Sequence, residues 1–319
     1  MPPFTELYDA MKVYRGIDAL PEFKNPVVTI GTFDGVHAGH RVIIERIRKR
    51  AAEIHGQSIL ITFEPHPRLV LGTQNSPLNL LTTLDEKIEL LQQLGIDFLV
   101  VVPFTKEFAS ISADDYIEDF LINHFHPHSF VIGYDHHFGK HRSGNFRMLE
   151  QVKEKFGFQL EEIPVEEIEQ VAVSSTKIRQ ALLEGKIQIA NDYLCAPYRL
   201  QGTVIHGDQR GRLIGFPTAN LKAEDPHKLI PAVGVYAVRV TLHDNIYMGM
   251  MNIGFRPTVH EQGSLSLEVH LFNFNETIYD DIITVDFIER IRDEQKFDHI
   301  DMLVKQLHQD KQVAISLLS

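Results

Sequence analysis

Residues 31–40 read Gly-Thr-Phe-Asp-Gly-Val-His-Ala-Gly-His and connect an apolar run at residues 27–30 to a segment of helical period at residues 40–55. The glycines allow backbone N–H groups to approach a phosphate, and the start of a helix adds the positive end of its dipole. His37 and His40 are three residues apart, so both can donate hydrogen bonds to charge that builds on that phosphate in a transition state. An isolated pair of this spacing is more typical of a tight turn or of half a metal site. Its position between a strand and a helix favours a phosphate site.

Short apolar runs alternate with helical patterns from residue 27 to about residue 185. The runs at residues 27–30, 59–63, 98–102 and 130–132 are apolar at odd and even positions, which is typical of strands buried on both faces. Thr83 and Glu86 form a capping-box pattern at the start of one intervening helix, and Gly95 can end that helix. Strands that alternate with helices predict a parallel sheet with its ligand site at the carboxyl ends of the strands.

The alternation stops near residue 198. Residues 235–242 and 266–271 have period-two character and are separated by glycines and prolines, which predicts a small antiparallel barrel or sandwich. Apolar residues at helical spacing after Phe297 predict a closing amphipathic helix. For a chain of 319 residues we therefore expect two domains, residues 1–188 and residues 189–319.

The composition excludes several classes of protein. Hydrophobic residues make up 44% and charged residues 23%, as in ordinary globular proteins. The net charge of -12 is spread over both halves, which disfavours binding to nucleic acid by unspecific attraction. We also expect no membrane partner, because no apolar run approaches the roughly 20 residues that span a bilayer and the N-terminus lacks a signal-peptide pattern. Cys195 is the only cysteine and has no activating neighbours, so we expect a cytoplasmic protein without an internal disulfide.

The motif at residues 31–40 resembles the signature of the nucleotidyltransferase superfamily, in the form typical of bacterial FAD synthetases. Three further segments match that family in order: Phe-Glu-Pro-His-Pro at residues 63–67, Gly-Tyr-Asp-His-His-Phe-Gly at residues 133–139 and Ser-Ser-Thr-Lys-Ile-Arg at residues 174–179. In the last segment a serine can cap a helix whose first N–H groups bind phosphate, and Arg179 can add a bidentate contact. The resemblance implies a Rossmann-like α/β nucleotidyltransferase domain.

The same resemblance implies roles for single residues of this half. His37, His40 and Arg179 would be catalytic, and His66 and Asp135 would bind the substrate. The nucleotide would contact Gly31, Phe33, Asp34, Gly35, Gly39, Ser174, Ser175 and Thr176. One departure is the pair at residues 136–137, both histidines, where many relatives carry an aromatic residue followed by arginine. With the other histidines nearby, a metal cluster is an alternative, although no cysteine or carboxylate stands at ligand spacing.

Residues 202–221 are rich in glycine and arginine and contain Pro217-Thr218-Ala219-Asn220. The stretch is neither a Walker loop nor a protein-kinase loop, and taken alone it is most typical of turns between strands. It closely resembles the riboflavin kinase module, as do residues 231–236, 252–258, 267–272 and 291–297. The resemblance implies a riboflavin kinase-like barrel in which Thr218 and Asn220 hold Mg²⁺ and Glu268 is the general base. Nucleotide contacts would come from Gly207, Arg212 and Gly215, and substrate contacts from Arg292 and Phe297. Asp280 is a second departure, because relatives often have glycine after the tyrosine at residue 279.

The resemblance covers nearly the whole chain and implies the family of bifunctional enzymes that make FAD. The barrel would phosphorylate riboflavin to FMN with ATP and Mg²⁺, and the α/β domain would adenylylate FMN to FAD and release pyrophosphate. Two alternatives are a nucleotidyltransferase for another phosphorylated acceptor, with a non-catalytic flavin-binding barrel, and a flavin-binding module without activity. The Pro-Thr-Ala-Asn motif and Glu268 argue against the first, and the presence of every proposed catalytic group argues against the second. The oligomeric state stays open.

Overall fold

The computed structural model describes residues 11–72, 78–134, 136–165, 173–207, 210–255 and 265–319. Three residue sets singled out in the sequence lie outside the described residues: Asp135, residues 208–209 and the segment 256–258. Backbone contacts divide the chain into a first unit, Met1–Leu78 with Thr82–Ser174, and a second unit, Asn79–Leu81 with Ser175–Ser319. The domain boundary at residue 188 stays a prediction.

The first unit contains a parallel sheet of six strands in the order β1-β4-β3-β2-β5-β6. The strands are β1 Lys12–Arg15, β2 Pro26–Ile30, β3 Gln57–Glu64, β4 Phe98–Pro103, β5 Ser129–Gly133 and β6 Gln159–Ile163. The four runs predicted as buried strands are β2 to β5, so the α/β fold of this half is confirmed. Successive residues of one strand pack on opposite faces, as Leu60 and Ile61 of β3 do in two separate core clusters. Both faces of the sheet are therefore covered.

The two edge strands of this sheet were not predicted. The strands β1 and β6 are exposed at several positions and carry charged residues, because an edge strand is covered less completely than a central one. Their sequences consequently lack the apolar runs that mark β2 to β5. The strand order reverses beside β2, which has β3 on one side and β5 on the other, and parallel α/β sheets bind ligands at such a point.

The helices of the first unit are α1 Ala38–Glu53, α2 Pro67–Leu71, α3 Leu84–Gln93, α4 Lys106–Ala109, α5 Ala113–Asp115, a π-helix Tyr116–Ile122, α6 Asn123–Phe125, a short 3-10 helix Lys140–Arg142 and α7 Phe146–Phe156. The predicted capping box at the start of α3 is confirmed. The Thr83 hydroxyl accepts from the N–H of Glu86 at 3.2 Å, and the Glu86 carboxylate accepts from the N–H of Thr83 at 2.8 Å. The helix α1 begins within the first motif, at Ala38, and buries Ile44 and Ile47 against the sheet.

The second unit contains a closed barrel of six antiparallel strands in the order β10-β11-β8-β7-β12-β9. The strands are β7 Tyr198–Ile205, β8 Ala219–Ala223, β9 Gly234–Leu242, β10 Asn245–Phe255, β11 Leu265–Leu271 and β12 Ile282–Arg292. Closure through the pairing of β9 with both β10 and β12 decides for a barrel and against a sandwich. The sequence pattern alone does not show closure, since the same alternation serves both folds.

The helices of the second unit are α8 Ser175–Leu183, α9 Ile187–Leu194, α10 Arg210–Leu213 and α11 Ile300–Leu318. The predicted closing helix is α11, which packs Ala314 and Leu318 into a cluster with Phe216 and Met250 of the barrel. The helices α8 and α9 also pack within this unit, where the Asn191 side chain donates to the carbonyl of Phe287 at 2.9 Å. No helix among the described residues is both long and apolar enough to cross a membrane.

Candidate active sites

The first candidate site is built on the turn between β2 and α1, residues 31–37, which we call the phosphate turn. Phe33 and Val36 have φ angles of 47° and 41°, in the left-handed region that bulky and β-branched residues rarely adopt. The Asp34 carboxylate accepts from the backbone N–H of Thr82 at 3.0 Å, and the Thr82 hydroxyl accepts from the N–H of Gly35 at 3.0 Å. Asp34 is only 2% exposed, and these hydrogen bonds fix the conformation of the turn. Its predicted contact with a nucleotide stays a prediction.

The two histidines of the motif lie at the first turn of α1. His37 caps the helix, and its Nδ1 accepts from the N–H of His40 at 3.4 Å. Its Nε2 therefore carries the proton of the neutral ring and is its donor. The two imidazole rings stack with their centroids 3.6 Å apart. The structure thus brings His37 and His40 together as the sequence predicted.

Burial determines the charge of His40. Its pKa lies well below the ordinary histidine value, first because the ring is desolvated and then because His37 and Lys87 add repulsion. The buried Nδ1 of His40 has no hydrogen-bond partner among the described residues. His40 is consequently neutral at neutral pH and can still donate one N–H to a ligand oxygen.

A cavity of about 850 Å³ opens beside the phosphate turn. Gly31, Thr32, Phe33 and His40 line it on the turn side, and this volume lies in the usual range for small-molecule sites. Four basic side chains also line the cavity, and they attract anionic ligands: Arg68, Lys106, Lys140 and Arg142. The net negative charge of the chain therefore does not extend into this site.

The histidine pair that departs from the family pattern lies in the wall of the same cavity. Desolvation, with repulsion from His137 and Arg142, lowers the pKa of His136 to about 4. His136, which stands where many relatives carry the aromatic residue, therefore adds no positive charge at neutral pH. Across the described ranges, no group of three histidines, cysteines or carboxylates lies close enough together to hold a metal ion.

Three other predicted contacts of this half have structural partners. The Nδ1 of His66 caps α2 by accepting from the N–H of Arg68 at 3.1 Å. The N–H of Gly31 donates to the carbonyl of Ile61 at 3.0 Å, which continues the pairing of β2 with β3. Arg179 lies on α8 in the second unit, where its Nε donates to the carbonyl of Asn79 at 2.7 Å. Its approach to the histidines stays a prediction, as does that of Ser174, Ser175 and Thr176.

The second candidate site lies on the barrel, where β11 pairs with β8 and β10. Glu268 on β11 stands opposite Asn220 on β8 and opposite Asn252 on β10. Its Oε2 accepts from the Thr218 hydroxyl at 3.3 Å, and its Oε1 accepts from the Ser266 hydroxyl at 2.9 Å. The structure therefore brings together Thr218, Asn220 and Glu268, which the sequence separates by about 50 residues.

A cavity of about 280 Å³ adjoins Glu268, and Thr218, Arg292 and Phe297 also line it. The Arg292 guanidinium lies 5.9 Å from the centre of the Phe297 ring and donates to Asp310 on α11, with an Nη2–Oδ2 distance of 2.7 Å. Asp310 is only 1% exposed, so this buried ion pair fixes the position of the Arg292 guanidinium. The predicted nucleotide residues Arg212 and Gly215 are exposed and stand at and just after α10.

Sequence reasoning missed two residues that support this second site. Asp310 lies on α11, on a helix that the motifs do not reach. His270 lies two residues after Glu268, and its Nδ1 donates to the carbonyl of Pro217 at 2.7 Å, directly before Thr218. A signal for His270 is present in the sequence, since residues two apart in a strand face the same side.

Two family models match separate parts of the chain: FAD synthetase over residues 20–177 and riboflavin kinase over residues 194–318. A "Bifunctional riboflavin kinase/FMN adenylyltransferase" from Bacillus subtilis is 40% identical over 92% of this chain and 92% of its own. The protein of the same name from Haemophilus influenzae is 39% identical over 95% and 98%. A solved structure described as a macrolide-efflux protein from Streptococcus pneumoniae is similar with a TM-score of 0.84 and 32% identity, and covers 96% of this chain and 99% of its own.

The buried histidines predict a pH dependence of stability. The pKa values of His40 and His136 are lowered in the folded chain, so the unfolded chain binds more protons below about pH 6.5. Their contribution is full above that pH and is lost as the pH falls, for His136 down to about pH 4. Between its pKa in the unfolded chain and its pKa in the folded chain, each histidine should lower the free energy of unfolding by about 1.4 kcal/mol for each pH unit that the pH falls.

The measurement is the slope of the free energy of unfolding against pH between pH 7.5 and 5. It is obtained from urea unfolding of the first unit, monitored by hydrogen exchange in β2 and β3. We expect His40→Gln to flatten the slope. The exposed His55 provides a matched control, and His55→Asn should leave the slope unchanged. Equal slopes in His40→Gln and the wild type would contradict a lowered pKa at His40.

Proposed function

The chain belongs to the family of bifunctional riboflavin kinases/FMN adenylyltransferases, and on that premise we propose which of its residues carry each of the two reactions. The enzyme phosphorylates riboflavin to FMN and adenylylates FMN to FAD. The observation that supports the residue assignment is the convergence of three residues on one side of the barrel: Thr218 directly before β8, Asn220 on β8, and Glu268 on the neighbouring strand β11. The stacked histidines of the other unit then serve the adenylyl transfer.

In the kinase reaction Glu268 is the general base. Its carboxylate takes the proton of the riboflavin 5′-hydroxyl while the oxygen attacks the γ-phosphorus of ATP, and the bond to ADP breaks. The Thr218 and Ser266 hydroxyls donate to the two carboxylate oxygens and fix their direction. Arg292, held by Asp310, and Phe297 border the same cavity and bind the substrate.

The donors near Glu268 fit Mg²⁺. Thr218 and Asn220 offer neutral hard oxygens, which suit this ion when phosphates and water complete its shell. The ion would neutralise phosphate charge during transfer. Gly207 sits so close to Asn220 that a Cβ added to the glycine would lie 2.0 Å from the Asn220 Nδ2. Gly207 therefore leaves the space that the Asn220 amide occupies, which supports a role for both residues at this site.

In the adenylyl transfer an oxygen of the FMN phosphate attacks the α-phosphorus of ATP, and pyrophosphate leaves. Neutral His40 and the Nε2–H of His37 donate to the phosphate oxygens as their charge increases. The basic side chains of the cavity bind the anionic substrates. Arg179 and residues 174–176 add phosphate contacts in this proposal, and no covalent enzyme intermediate is needed.

The wider setting of the enzyme is part of the proposal. A cytoplasmic location fits a chain with one cysteine, which is exposed and free. The partners are the small molecules riboflavin, FMN and ATP. The diffuse negative charge supports neither a nucleic-acid nor a membrane partner.

Two variants should separate the reactions. His37→Asn keeps an oxygen that can cap α1 but removes the imidazole, so we expect FAD formation to fall by about 10²–10³-fold while FMN accumulates. Glu268→Gln removes the base, so FMN formation should fall by about 10²–10⁴-fold while supplied FMN is still converted to FAD. Chromatography of riboflavin, FMN and FAD over time measures both. Loss of both activities in each variant would refute the assignment to two sites.

Gly207→Ala should weaken the kinase through Asn220. The added methyl group displaces the Asn220 amide, so we expect a kinase rate at least tenfold lower and a higher Mg²⁺ concentration for half-maximal rate. Titration of Mg²⁺ into the EDTA-treated enzyme, with riboflavin and ATP present, gives this value. Conversion of FMN to FAD by the same sample is the internal control and should not change. A wild-type Mg²⁺ requirement would argue against Asn220 as a ligand.

A further inference from the structure

Lys87 is a buried cation to which neither proposed reaction assigns a role. It lies on α3 between Leu84 and Leu91, on the apolar side of the helix, and is only 4% exposed. Its Nζ donates to the carbonyl of Thr32 at 2.8 Å and lies 3.4 Å from the Thr62 hydroxyl oxygen. The side chain therefore reaches the phosphate turn from inside the protein.

An apolar residue would suit this position better for stability alone. A buried ammonium loses its hydration, and neutral acceptors replace only part of it. Burial accordingly lowers the pKa of Lys87, while the carboxylates of Asp34 and Glu64 raise it. A lysine that is buried at such a cost is a candidate for a role in the adjacent site.

The contact with Thr32 determines the direction of a peptide group. In a trans peptide the carbonyl and the following N–H point in opposite directions. Because Lys87 and the Thr62 hydroxyl both draw the Thr32 carbonyl inward, the N–H of Phe33 points the other way. Thr32 and Phe33 line the cavity of about 850 Å³. Lys87 therefore turns a backbone donor outward at a residue whose φ of 47° is strained.

The charge of Lys87 also acts on the site. Lys87 contributes to the lowered pKa of His40, so its field extends to the catalytic imidazole. The other titratable groups around it are Asp34 and Glu64, which interact with Lys87, and His37, which interacts with His40. A positive charge under the turn favours an anion above it, because a buried charge is screened little by solvent.

We propose that Lys87 is a positioning residue of the adenylyl-transfer site, which holds the Thr32 carbonyl so that the phosphate turn presents N–H groups to the ATP phosphates and whose positive charge strengthens their binding. This inference rests on the proposed function, since it takes the phosphate turn as the place where ATP reacts. Lys87 does not touch the substrate. It acts through the backbone of the turn and through its electric field.

Two variants test the hydrogen bond and the charge. Lys87→Met removes both, and Lys87→Gln keeps a donor without the charge. Inorganic pyrophosphate, the product of adenylyl transfer, is the probe, because its inhibition constant reports anion binding without chemistry. We expect Lys87→Met to raise this constant at least tenfold and to lower kcat/KM for ATP at least tenfold, with Lys87→Gln between Lys87→Met and the wild type. Removal of the repulsion should also raise the pKa of His40, measured by NMR of the imidazole.

Lys49→Met is the matched control, because it removes the same charge from an exposed position on α1 and should change the inhibition constant less than twofold. Near-ultraviolet circular dichroism and hydrogen exchange in β3 report whether the first unit is folded. If Lys87→Met does not fold, the same measurements on Lys87→Gln test the proposal. A folded variant with wild-type pyrophosphate inhibition and an unchanged pKa of His40 would overturn the proposal. His37→Asn in the same assay distinguishes a failure of the Lys87 proposal from a failure of the proposed function. Unchanged FAD formation in that variant would refute the proposed function itself.

Discussion

The first site depends on a turn that would not hold its shape alone. Phe33 and Val36 take left-handed conformations that cost energy for residues with large side chains. Contacts from distant parts of the chain compensate for this cost: Thr82 binds Asp34 and Gly35, and Lys87 binds the Thr32 carbonyl. Because these contacts are buried, solvent does not compete with them. The strained turn can then present its backbone and both histidines to a phosphate without rearranging during the reaction.

The two sites differ in the sign of the charge at their centre, although both are proposed to transfer a group from ATP. In the proposed adenylyl transfer, the basic side chains, the neutral His40 and the backbone donors of the first site bind a substrate phosphate, which suits a transfer whose nucleophile is already ionised. The second site centres on the carboxylate of Glu268, with the hydroxyl of Thr218 beside it, which suits a nucleophile that must lose a proton. The net charge of -12 describes the surface as a whole and neither site. Local arrangement of charge therefore determines which anions bind.

Much of the fold was predictable because burial leaves a periodic pattern. The strands β2 to β5 are covered on both faces and show continuous apolar runs, and the capping box of α3 involves residues only three apart. The edge strands β1 and β6 lack that pattern because each pairs with only one neighbouring strand among the described residues and is covered less completely. Barrel closure also left no local signal, since it depends on how β9 meets β10 and β12. In the first site, the sequence did not show that the Asp34 carboxylate binds the N–H of Thr82.

The sequence by itself determined the order of the two catalytic modules and the chemical groups that each contains, because those motifs are contiguous and their residue types state their chemistry. Only the tertiary structure decided which groups meet. Thr218 reaches Glu268 across 50 residues of chain, Thr82 reaches Asp34 across 48, and Lys87 reaches Thr32 across 55. A hydrogen bond forms only when two atoms come within about 3.5 Å in a favourable direction. Packing of separate strands and helices sets that distance, and no local pattern of residues encodes it.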